Sequence, residues 1–129
     1  MTVLLVDDDD TLRRDLDLFL GPDYQLIWAS GSRQAMMLLG YGVVHDAVIL
    51  DICLPPFIAD VEEREGLELL SLFSGELLPG VPVLVLSSLP RAEIEADCLE
   101  RGACAVLEKP CSVGKLRQVL KDLIGGEAV

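Results

Sequence analysis

Residues 3–10 read Val-Leu-Leu-Val-Asp-Asp-Asp-Asp, and residues 46–55 read Asp-Ala-Val-Ile-Leu-Asp-Ile-Cys-Leu-Pro. Both contain a short, unalternated apolar run that stops at an acid. Such a run predicts a strand covered on both faces, with the acid at its carboxyl end. The first run leads directly into Asp10–Leu20, where Leu12, Leu16, Phe19 and Leu20 recur at helical spacing. The local reading is therefore strand, acidic turn, helix. Asp9 or Asp10 is the candidate helix cap.

The same unit recurs along the chain. Gly21-Pro22-Asp23 stops the first helix, and Tyr24–Ala29 reads as a second strand. Ser32 caps a short helix to Leu39, which ends near Gly40 and Gly42. Ala47–Leu50 is the third strand. An irregular stretch, 52–65, contains Pro55-Pro56 and precedes a helix over Gly66–Phe73. Pro79-Gly80 leads into a fourth strand, Val81–Leu86. Arg91–Arg101 is helical and closed by Gly102, Ala105–Leu107 is a short fifth strand, and Ser112–Ile124 is a final helix. Five strand–helix units joined by right-handed crossovers predict an α/β fold, a doubly wound five-stranded parallel sheet in the order 2-1-3-4-5. Residues 1–124 form one domain on this reading, and 125–129 are a tail or the start of a linker.

The whole chain has 129 residues, the size of one domain. Acids outnumber bases 22 to 10, for a formal charge of −12. That excess argues against direct nucleic-acid binding, which needs a basic surface, and favours a cationic partner such as a metal ion. Hydrophobic residues make up 51% of the chain, but none of the apolar runs approaches a membrane span. The N-terminus lacks the basic region of a secretion signal, so the expected location is cytoplasmic. Cys53, Cys98, Cys104 and Cys111 have no zinc spacing and are expected to be free thiols.

The polar residues fall where this topology places a site. Asp7 and Asp8 end strand 1, Asp51 ends strand 3, Ser87 and Ser88 end strand 4, and Lys109 follows strand 5. In the order 2-1-3-4-5 these ends are neighbours along one sheet edge, outside the strand carboxyl ends. Two carboxylates 5 Å apart repel by roughly 3 kcal/mol at an effective dielectric near 20. A cation between them relieves this, and a few hard oxygen ligands suit Mg²⁺. A carboxylate beside Mg²⁺, a hydroxyl and a lysine has the parts for accepting a phosphoryl group.

These residues resemble the receiver domain of two-component response regulators. The likeness runs from Val3 to about Ile124. It rests on Val3-Leu-Leu-Val-Asp-Asp-Asp9, on Asp46 through Pro55, on Val83-Leu-Val-Leu-Ser-Ser88 and on Lys109-Pro110. The resemblance implies a flavodoxin-like (βα)5 fold and a signalling domain that catalyses only its own phosphorylation and dephosphorylation. It implies Asp51 as phosphoacceptor, supplied by a histidine kinase or histidine phosphotransfer protein. It implies Asp8, Asp51 and the Cys53 main-chain carbonyl as Mg²⁺ ligands, with Asp7 holding the ion through water. Ser87 and Lys109 correspond to the hydroxyl and ammonium that meet the phosphoryl group. The Lys109-Pro110 bond is expected to be cis, and the output to be a partner or effector.

Three features depart from that family. The link after Asp51 is long and acidic, with Asp60, Glu62, Glu63 and Glu65. The fifth-strand position where the family often has an aromatic is Val106. The chain ends at Val129 without an effector domain, as a stand-alone receiver or one cut from a longer protein would. Two other readings remain open at this point. Asp7-Asp8-Asp9-Asp10-Thr11 fits the D-x-D-x-T motif of haloacid-dehalogenase-type phosphatases, with Asp7 carrying the phosphoryl group. A phosphorylation-independent interaction domain is the third. Trp28 is read as core or rim, and His45 as a loop residue.

Overall fold

The structure is a computed structural model, and it describes residues 1–21, 24–40, 45–52, 65–78 and 80–125. Five strands, β1 (Thr2–Val6), β2 (Gln25–Ala29), β3 (Ala47–Leu50), β4 (Val83–Ser87) and β5 (Ala105–Glu108), form one parallel sheet in the order β2-β1-β3-β4-β5. The helices are α1 (Asp10–Leu20), α2 (Ser32–Gly40), α3 (Glu65–Leu72), α4 (Arg91–Glu100) and α5 (Val113–Gly125). The doubly wound order expected from the sequence is the order found.

The unalternated strands are apolar on both faces because both faces are covered. Leu4, Val6, Val48, Leu50, Val83, Val85 and Val106 enter one buried cluster, which includes Leu69, Leu70 and Phe73 of the third helical segment and Ile94 and Cys98 of α4. The alternate positions Val3, Leu5, Ala47, Ile49, Leu84, Leu86 and Leu107 enter the other cluster, with Leu16 and Leu20 of α1 and Leu116 and Leu120 of α5. Among the described residues no helix is long and apolar enough to cross a membrane.

Local chemistry sets the ends of the elements. Asp9 is the α1 cap: its Oδ1 accepts the backbone N–H groups of Thr11 at 3.0 Å and Leu12 at 3.1 Å. Strand β4 begins at Val83 rather than Val81, because Val81 N–H turns back to the Leu78 carbonyl at 3.1 Å and Pro82 has no N–H to offer. Beyond α3 the chain makes one wider helical turn over Phe73–Leu77, closed by Leu78 N–H on the Phe73 carbonyl at 2.8 Å. Gly102 follows α4 at φ +110°, a conformation that favours glycine, and a Cβ there would strike the Ser74 hydroxyl.

Candidate functional site

The carboxyl ends of β1, β3 and β4 and the loop after β5 meet at one edge. Val6 pairs with Leu50, and Asp51 N–H donates to the Val6 carbonyl at 2.9 Å, which brings Asp51 alongside Asp7. Ser87 pairs with Glu108, and Lys109 N–H donates to the Ser87 carbonyl at 2.7 Å, which aims Lys109 back across the sheet. Its Nζ lies 2.7 Å from Asp7 Oδ2 and 3.2 Å from Asp51 Oδ2. The Lys109-Pro110 bond is cis.

Carboxylate oxygens of Asp7, Asp8 and Asp51 all lie within 4.8 Å of one another. Asp7 and Asp51 are buried, at 1% and 4% exposure, and Asp8 is exposed. Burial raises the Asp7 carboxyl above its ordinary value, and the Lys109 and Asp9 N–H contacts only partly offset this. Burial also pulls Lys109 down. The Asp7 hydrogen bond and the charges of Asp51 and Asp7 outweigh it, so the ammonium is held above its ordinary value. Lys109 therefore meets two desolvated carboxylates, Asp7 and Asp51, with the exposed Asp8 beside them. Clustered hard oxygen donors suit a divalent ion.

Ser87 is fully buried, and its hydroxyl oxygen accepts the backbone N–H of Leu89 at 3.2 Å. Cys53 and the acidic stretch 56–64 lie outside the described residues. Asp9, the second aspartate of the D-x-D-x-T reading, is exposed and engaged as the α1 cap. Val106 is buried in the core. His45 is buried before β3, at the opposite end of that strand from Asp51, and burial lowers its pKa. Cys98, Cys104 and Cys111 are free, as expected.

Two residues at this edge go beyond the sequence reading. Trp28 Nε1 donates to the Asp7 carbonyl at 2.9 Å. Glu108 Oε1 accepts the backbone N–H of Arg91, the first residue of α4, at 2.7 Å. Neither contact had a signal in the sequence: Trp28 is the penultimate residue of β2 and Glu108 the last of β5, and their partners are set only by the folded sheet.

Comparison with known proteins agrees with this architecture. Residues 3–121 match the family model described as the response regulator receiver domain. The chain is 32% identical over 120 residues to a putative NtrX-like response regulator of Rickettsia bellii, covering 92% of this chain and 24% of that protein. It spans less than half the length of each curated relative it matches. The structure of a protein described as a putative response regulator from Chloroflexus aurantiacus is 29% identical, with a TM-score of 0.80 over 95% of this chain and 96% of that one. The receiver domain of sensor histidine kinase PA1611 from Pseudomonas aeruginosa, described with a magnesium ion coordinated in its active site cleft, shares the fold. Its TM-score is 0.76 at 22% identity, over 96% of this chain and 97% of that one. From the sheet order, the acidic edge crossed by Lys109 and the match over residues 3–121, the chain belongs to the response regulator receiver domains of two-component signalling.

Proposed function

We propose that Asp51 accepts a phosphoryl group from a phosphohistidine on a histidine kinase or histidine phosphotransfer protein, and that the phosphorylated domain switches a partner or effector. A single observation carries this reading: the Lys109 ammonium bridges Asp7 and Asp51 at 2.7 and 3.2 Å, at the strand carboxyl ends. In the transfer, an Asp51 carboxylate oxygen bonds to phosphorus as the phosphorus–nitrogen bond breaks. Lys109, already beside the Asp51 carboxylate, neutralises charge on the incoming phosphoryl oxygens. The Ser87 hydroxyl donates to one of them, while its oxygen holds Leu89 N–H in the resting state.

Asp7, Asp8 and Asp51 fit Mg²⁺ by the chemistry of their donors, with the Cys53 carbonyl as the further ligand that the resemblance implies. When bound, the ion neutralises phosphoryl oxygens that the carboxylates would otherwise repel. The magnesium described for the Pseudomonas receiver domain supports placing the ion here. The functional unit is residues 1–124, with 125–129 a tail or linker start. The charge of −12 argues against direct nucleic-acid contact, and the setting we propose is cytoplasmic.

Incubation with phosphoramidate and Mg²⁺ tests the reading. One phosphoryl group should appear in the intact mass and disappear in Asp51→Asn. An unmodified wild-type mass after prolonged incubation would contradict it.

A further inference from the structure

We infer that Trp28 is a positioning residue for the acidic turn, and that its emission reports metal occupancy there. This rests on the metal reading above.

Asp8 is exposed, and none of the hydrogen bonds described for this edge holds its carboxylate. Its place in the cluster therefore depends on its backbone. The peptide groups on both sides of Asp7 are fixed from β2. Asp7 N–H donates to the Ala29 carbonyl at 3.0 Å, the last rung of the β1–β2 ladder. Past that rung, β2 leaves the sheet: Ser30 N–H is taken by Gln34 Oε1 at 2.6 Å as the chain enters α2. The Asp7 carbonyl, which belongs to the peptide leading into Asp8, is served instead by the indole N–H at 2.9 Å.

The ring is itself held. The Arg13 guanidinium lies 4.8 Å from the ring centroid, and the same guanidinium bonds Asp10 Oδ1 at 3.1 and 3.0 Å. Asp7 and Asp10, the two ends of the four-aspartate run, are thus tied to one indole, directly and through Arg13. A turn carrying four acids in sequence tends to splay by mutual repulsion, and this clamp opposes that. Holding the turn in its binding geometry lowers the ordering cost of taking up an ion.

Trp28 is the single tryptophan of the chain, so its emission is unambiguous. A divalent ion changes the charge on the turn and the pull on the Asp7 carbonyl. The indole N–H senses both.

The test titrates Mg²⁺ into wild type, Trp28→Phe and Phe73→Leu, by calorimetry for all three and by tryptophan emission where the indole is present. Trp28→Phe keeps an aromatic ring under Arg13 and removes the N–H. Phe73→Leu lowers stability from the opposite face of the sheet. The expected result is a saturable emission change in wild type whose midpoint matches calorimetry, and Mg²⁺ affinity weakened about three- to tenfold in Trp28→Phe. Phe73→Leu should bind as wild type does, which separates positioning from general loss of stability. Wild-type affinity in Trp28→Phe would overturn the inference while leaving the metal reading intact. Emission unmoved by saturating Mg²⁺ would overturn it as well, even if Trp28→Phe failed to fold. A wild type that binds no Mg²⁺ by calorimetry at millimolar concentration would overturn the metal reading, and this inference with it.

Discussion

Glu108, the last residue of β5, accepts the backbone N–H of Arg91, the first residue of α4, at 2.7 Å. Pro90 stands at the N-cap position and supplies no side-chain cap, so a carboxylate from another strand performs that role. It also places a negative charge at the positive end of the helix. Glu108 lies next to Lys109 in sequence and opposite Ser87 in the ladder. The start of α4 is therefore anchored to the strand that leads into the site lysine.

The Glu108 cap is separable from the site. Glu108→Ala should lower stability by about 1 kcal/mol and speed amide exchange at residues 91–94. Glu108→Gln, which keeps an accepting oxygen, should lose less. Hydrogen exchange read by NMR on the three proteins checks this, and equal protection in all three would dismiss the cap.

Lys109→Met removes the ammonium that Asp7 and Asp51 share. Because Lys109 is partly exposed, the expected cost at neutral pH is about 2–3 kcal/mol rather than the full cost of breaking a buried pair. The pH sign follows from Asp7, whose carboxyl is already raised by burial. A raised carboxyl stabilises the fold below its unfolded value of 3.8 and loses that contribution as pH rises through the folded value. Losing Lys109 raises it further. The variant's deficit against wild type should therefore be full at pH 7 and shrink as pH falls toward 4, seen by paired urea melts.

Mg²⁺ should raise the melting temperature of wild type. At ten times its Kd the gain is about 1.4 kcal/mol, or roughly 4–7 °C for a domain of this size. Asp8→Ala should abolish most of that gain while melting higher than wild type in EDTA, because one repelling carboxylate is gone. The Mg²⁺-induced shift should also weaken as pH falls, since protonation of Asp7 competes with the ion. Differential scanning fluorimetry over a pH series reads all three.

Phosphorylation is expected to be read out at residues 87–95. Val106 is buried and β-branched, too short and too stiff at χ1 for the aromatic swing that the family often uses at this position. When the Ser87 hydroxyl turns to the phosphoryl group, the Leu89 N–H that it holds at 3.2 Å is released, and Leu89 precedes α4 by two residues. With a beryllofluoride mimic, the largest amide shifts should fall in 87–95. Ser87→Ala should suppress them and leave Asp51 phosphorylatable. Changes concentrated in 56–65 would move the switch to the acidic stretch.

The parts of this molecule that were legible in the sequence are those fixed by local pattern and topology. Val3–Val6, Ala47–Leu50 and the Val83–Leu86 run read as buried strands because both faces of the sheet are covered. With their order inferred, Asp7, Asp51 and Lys109 had to converge. The contacts of Trp28 with Asp7 and of Glu108 with Arg91 were not legible. Each joins a side chain to a backbone group across 21 and 17 residues, and each depends on where a strand ends rather than on what it contains. The wider turn after Leu72 escaped for a related reason: Leu78 N–H reaches Phe73, a spacing that apolar periodicity does not encode.

The most direct test of the account is to find which aspartate carries the acyl phosphate. Protein treated with phosphoramidate and Mg²⁺ is reduced with borohydride, which converts an acyl-phosphate aspartate to homoserine, and then digested with trypsin. Asp7 falls in the peptide ending at Arg13, and Asp51 in the peptide from Gln34 to Arg64. Homoserine is expected at position 51 and should be absent from Asp51→Asn. Homoserine at position 7, retained in Asp51→Asn, would contradict that and favour phosphatase-type chemistry at the first strand.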